Sequence, residues 1–161
     1  MRRAILLTSL LLLSSPAFAQ PCAMPEGDYT PWASPTTIAA ADDAGTAPPI
    51  ALNAAKMVKL RPIALVHYTQ TPAKIGAADN YGGLMSLHIA TPGNYRLALS
   101  AGAWIDVLAP QGEQRSVAHS HGPECSGVRK MVDFNLAKGD YLVQIAASAA
   151  PSITVMALPV P

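Results

Sequence analysis

Two stretches of strict alternation constrain this chain more than any other feature. Met85, Leu87 and Ile89 alternate with Ser86 and His88, the turn-forming run Thr91-Pro92-Gly93-Asn94 follows, and Tyr95, Leu97 and Leu99 then alternate with Arg96 and Ser100. Side chains two apart in an extended strand share a face, so each run builds a strand with one buried side. The expected product is a β-hairpin. The plan recurs further on, where Val132, Phe134 and Leu136 face one way, Ala137-Lys138-Gly139-Asp140 turn the chain, and Tyr141, Val143 and Ile145 face the same way.

Other runs extend the pattern. Trp104 to Leu108 is an apolar strand interrupted by Asp106, Ile153, Val155 and Ala157 make a last strand, and Lys56 to Leu60 and Leu65 to Thr69 are weaker candidates. Trp104 is expected in the core, and Tyr81-Gly82-Gly83 is expected as a turn, or else as a point of close backbone approach to a ligand. No helical period is sustained, so the expected fold class is all-β: an antiparallel, jelly-roll-like two-sheet sandwich of about seven to eight strands over residues 52–161. Residues 20–51 contain Pro21, Pro25, Pro31, Pro35, Pro48 and Pro49, which break helices and remove sheet donors. They are expected as an extended N-terminal arm with a short strand around Thr36 to Ala40, packed on the domain through its aromatics and Cys22.

Residues 1–19 have the layout of a secretory signal peptide: Arg2 and Arg3, an apolar run from Ala4 to Leu13, and Ala17-Phe18-Ala19 before the cut. That run falls short of the roughly 20 residues that span a bilayer, so a periplasmic or secreted protein with no membrane anchor is expected. Gln20-Pro21 in front of Cys22 departs from the pattern that lipidation enzymes read. Losing Arg2 and Arg3 takes eleven basic residues to nine against ten acidic ones, a formal charge of −1. Without a basic run, nucleic acid is not an expected partner; a small molecule, a metal or another exported protein is.

Cys22 and Cys125 are the two cysteines, and an exported chain with two thiols is expected to pair them. Closing a loop of about 100 residues is worth up to about 4.7 kcal/mol in the chain-entropy model. Alternatively Cys125 serves as a thiolate metal ligand, which the disulfide would preclude.

Pro92-Gly93-Asn94-Tyr95-Arg96-Leu97, Trp104-Ile105-Asp106-Val107 and Leu136-Ala137-Lys138-Gly139-Asp140-Tyr141-Leu142-Val143 give residues 80–157 a resemblance to the bacterial pre-peptidase C-terminal type of β-sandwich and related jelly rolls. The resemblance implies an accessory or binding module of exported proteins, not a catalyst.

Between Leu108 and Val128 a long loop is expected to hold His119-Ser120-His121-Gly122-Pro123-Glu124-Cys125. His119 and His121 share a side if extended, and Gly122-Pro123 could bend Glu124 back toward them, a donor set for a divalent transition metal such as iron, zinc or copper. No histidine follows His121, so a third imidazole would come from His67 or His88, with Asp106 and Asp133 as candidates to orient a ring. A polar loop with two exposed histidines beside a disulfide also needs no metal. Gly112, His119, His121, Glu124 and Gly127 partly resemble the first cupin motif, and residues 103–134 look like short exported proteins labelled homogentisate 1,2-dioxygenase. That likeness implies non-haem iron held by His119, His121 and Glu124. Ser116, Ser120 and Ser126 near the histidines do not form a nucleophile elbow. Trp32 and Trp104 would offer a sugar-stacking platform if exposed, and Arg129-Lys130 a solvated face or an anion contact.

A non-catalytic exported binding or structural protein is therefore expected, its functional surface at Arg115 to Gly127. The alternative is a metal-dependent dioxygenase.

Overall fold

Alternating apolar residues become two facing sheets. The computed structural model describes residues 22–160, so the expected signal at residues 1–19 lies outside the described residues. Among the described residues twelve strands run in chain order: β1 (Thr36–Ala39), β2 (Pro49–Ile50), β3 (Lys56–Lys59), β4 (Arg61–Pro62), β5 (Tyr81–Ile89), β6 (Gly93–Leu99), β7 (Trp104–Ala109), β8 (Gly112–Glu113), β9 (Ser116–Ser120), β10 (Lys130–Leu136), β11 (Gly139–Ser148) and β12 (Ser152–Pro159). One sheet has the order β1-β3-β12-β6-β10-β9 and the other β2-β5-β11-β7-β8, with β4 also on β5. The chain is an all-β sandwich. Both sheets are mixed, since β1 joins β3 and β2 joins β5 in parallel while the other pairs are antiparallel.

The two expected hairpins do not form. β5 and β6 lie in different sheets, as do β10 and β11; β5 instead pairs with β11, and β6 with β10. Each turn is an arch that carries the chain across the sandwich. Alternation fixes which side chains are buried, and an arch buries the same set as a hairpin by facing the two strands toward each other. The arches interlock: β6 lies between β12 and β10, and β11 between β5 and β7.

Met85, Leu87, Ile89, Leu97, Leu99, Val132, Phe134, Leu136, Val143 and Ile145 fill the space between the sheets, as their spacing requires. The outer faces are also covered. Tyr29 packs with Ala98, Met131, Met156 and Leu158 on the first sheet, so the N-terminal arm does lie against the domain. Beneath it Arg96 Nε and Nη2 donate to both oxygens of Asp133, directly opposite, at 2.7 and 2.8 Å. On the second sheet Val66 and Tyr68 pack near Leu84.

Three further expectations change. Leu65 to Thr69 is not a strand but the end of a 3-10 turn, Ile63–Leu65, followed by chain outside any strand. Tyr81-Gly82-Gly83 opens β5 instead of preceding it. A Cβ on Gly82 or Gly83 would strike the Tyr68 hydroxyl or the Ala40 methyl, so the close approach there is made by the chain itself. Finally, the expected loop between Leu108 and Val128 contains β8, β9 and a 3-10 turn at Glu124–Ser126.

Candidate functional site

β9 is the last strand of the first sheet and β8 the last of the second, so the sandwich has a seam where these edges meet. A cleft of about 270 Å³ opens there, lined by Trp104, Ile105 and Asp106 of β7, Glu113 of β8, Gln114, Ser116 and His119 of β9, and Lys130, Val132 and Phe134 of β10. A second depression adjoins it. Trp104, His119 and Lys130 line both, and the second adds Lys74, Ser120 and His121.

The side chains at the seam hold each other. Trp104 Nε1 donates to Asp106 Oδ1 at 2.7 Å, a contact between residues two apart on one strand face. Asp106 is only 5% exposed. Burial pushes its carboxyl above the usual range, the Trp104 hydrogen bond opposes that rise, and the Glu113 charge adds to it. Lys130 Nζ lies 5.6 Å from the Trp104 ring centroid and donates to Ala103 O at 2.6 Å. Burial lowers its pKa, as does the Lys74 charge, with Asp106 acting the other way.

Asp106 is also covered from its own side of the sheet. Gln144, paired with Asp106 on β11 and therefore on the same face of the sheet, is fully buried. Its Oε1 accepts from Thr69 N at 2.9 Å and Gln70 N at 3.4 Å, and its Nε2 donates to Gln70 O at 2.9 Å. Gln70 Nε2 then donates to Glu113 Oε2 at 2.7 Å. The segment following Val66 thus reaches the cleft through one amide.

The expected donors separate into different places. His119 faces the same way as its partner Val132, toward the seam, and His121 lies just past the end of β9 in the second depression. Glu124 lines another hollow with Ser100 and Arg129. His88 stands on β5 with Nδ1 2.6 Å from Asp140 Oδ1 of β11, and His67 is exposed after the Ile63–Leu65 turn. Cys125 is bonded to Cys22, which tethers the start of the arm to the segment after His121 and leaves no thiolate ligand. Neither carboxylate expected to orient an imidazole does so: Asp106 accepts from Trp104, and Asp133 from Arg96. Among the described residues no three His, Cys, Asp or Glu side chains are grouped as a metal ion would need.

Trp104, expected in the core, is half-buried on the cleft wall, while Trp32 packs edge-on against Tyr29 at 6.1 Å. Lys130 turns inward and parts company with exposed Arg129. Glu113, Gln114, Gln70 and Gln144 were not legible as site residues. The one signal was Asp106 and Gln144, each a polar residue inside an apolar strand run. Comparison with protein-family models and with curated proteins gives no match.

Proposed function

We propose that this chain is an exported, non-catalytic binding module whose ligand seats in the seam cleft between β8 and β9. The observation that carries it is Asp106: a carboxylate almost wholly buried on the wall of a small cleft, beside a fixed indole and an ammonium. Placing a charge there is costly unless something uses it, and binding sites are where such costs accumulate. Export fits the Cys22–Cys125 bond and the signal layout of residues 1–19. No helix among the described residues is long and apolar enough to cross a membrane. The likeness to pre-peptidase C-terminal sandwiches accords with a binding role.

The test is a two-dimensional amide NMR titration of the protein lacking residues 1–19, against neutral saccharides, amino acids, small anions and divalent metals. Saturable shifts confined to residues around Trp104, Asp106 and Lys130 are expected with at least one class. Shifts with none, at millimolar concentration, would rule the cleft out.

A second function is favoured by one observation: His119 and His121 line the same depression. Two imidazoles there would take zinc, copper or iron(II), with water or a ligand oxygen completing the sphere. Stoichiometric metal after desalting, lost in His119→Ala and in His121→Ala, is the expected result. No retained metal would end it, and with it the homogentisate dioxygenase alternative, for which iron-loaded protein must also open the aromatic ring under air.

A further inference from the structure

Resting on the proposal that the seam cleft binds a ligand, we infer that the ligand is a neutral saccharide, one sugar ring of which lies against Trp104 with its hydroxyls toward Asp106, Glu113, Gln114 and Ser116.

Charge comes first. Asp106 and Glu113 bring two carboxylates to the wall, Lys130 brings an ammonium, and Lys74 lies in the adjoining depression. These formal charges balance. An anion would meet two carboxylates. A cation would meet the like charge of Lys130, whose ammonium lies near the indole and bonds Ala103 O. An uncharged polar molecule meets neither obstacle.

Hydrogen-bonding capacity points the same way. Carboxylates only accept and an ammonium only donates, whereas Ser116 and an amide do both. Gln114 Nε2 gives one N–H to Gly112 O at 3.0 Å, which leaves its second N–H and its Oε1, and Lys130 has N–H groups beyond the one given to Ala103. A ring carrying several hydroxyls, each donor and acceptor together, matches a wall with acceptors on one side and donors on the other.

The cleft also offers apolar surface, from Trp104, Ile105, Val132 and Phe134. A pyranose presents C–H groups on its faces and hydroxyls at its rim, so it is apolar and polar in the arrangement that this cleft offers. The indole is tied in place through Nε1, so little freedom is lost when a ring settles on it. Size sets the limit. At about 270 Å³ the cleft sits just below the roughly 300 Å³ at which pockets for drug-sized ligands begin, room for one ring and not for a buried chain.

Trp32 and Trp104 are the two tryptophans, so an indole N–H spectrum of the ¹⁵N-labelled protein without residues 1–19 carries one signal from each, and Trp32→Phe assigns them. The probes are glucose, galactose, N-acetylglucosamine and their β-linked disaccharides, with glucuronate and glucosamine as charged rings of the same size. Saturable movement of the Trp104 signal with a neutral sugar, the Trp32 signal staying still, is expected. Asp106→Asn and Trp104→Phe should each weaken binding, followed by the backbone amide shifts around the cleft, about tenfold or more, with amide dispersion retained. If Trp104→Phe does not fold, Glu113→Gln and Ser116→Ala on the exposed edge strands report the same loss. Movement only with glucuronate, glucosamine or a metal would overturn the saccharide assignment and leave the cleft as a binding site. Movement with no probe of any class would overturn both.

Discussion

Tyr95 and Tyr141 occupy the same place in the two arches: each hydroxyl donates to the carbonyl oxygen four residues upstream, Thr91 at 2.6 Å and Ala137 at 2.9 Å. Each is the third residue of the middle strand of an interlocked trio, two residues after the Gly93 or Gly139 that opens it. The arches are neighbours, because Ile89 pairs with Gly139 and Leu136 with Gly93. A tyrosine tied back to the turn before it fixes the angle at which the chain crosses from one sheet to the other, as in the tyrosine corner of other sandwiches.

Tyr95→Phe and Tyr141→Phe keep the ring in the core and remove only that tie. Each should cost about 1 kcal/mol in urea unfolding, with the double variant departing from the sum because the arches touch. Costs indistinguishable from zero would mean that the glycine turns alone set the crossing.

Gln144→Leu conserves bulk but strips three hydrogen bonds from the backbone of Thr69 and Gln70. Those residues are exposed, so water takes over part of the loss and the expected cost is about 1–2 kcal/mol. Amide exchange at Thr69 and Gln70 should quicken while the β5–β11 ladder stays protected, and the Glu113 side chain should lose its Gln70 partner. Unchanged exchange at Thr69 and Gln70 would show that Tyr68, whose hydroxyl bonds Ile145 O at 2.8 Å, secures the segment without help.

The raised pKa of Asp106 has a sign that can be measured. Its folded value lies above the unfolded one of about 3.9, so the ionised carboxylate opposes folding at neutral pH. As pH falls through the folded value the native state takes up the proton first, and the opposition fades until the unfolded chain is protonated as well. The melting temperature of Asp106→Asn minus that of the unmodified protein should therefore be more positive at pH 7 than at pH 3.5. A difference independent of pH would mean that the carboxylate is solvated in the native state.

The fold class, the buried face of each long strand and the Cys22–Cys125 pair were all legible in the residues: the first two follow from a period of two, and two cysteines admit a single pairing. The candidate site was legible only in fragments. His119 and His121 drew attention by spacing, and the structure gives them a common depression, yet Glu124, His67 and His88 lie elsewhere and Cys125 is spent on the disulfide. Asp106 was visible as a charge within an apolar run, but nothing local to it indicated Glu113 or Lys130 as neighbours.

By itself the sequence determined what faces inward. Only the tertiary structure decided what faces what: that the chain passes to the other sheet between β5 and β6, that β8 and β9 each end a sheet, and that Gln70 reaches Glu113 of β8. Alternation is a property of one strand and is satisfied equally by a hairpin or an arch. The choice between them is made by side chains far apart in the chain, when Tyr141 meets Leu87 and Phe134 meets Tyr95 across neighbouring strands.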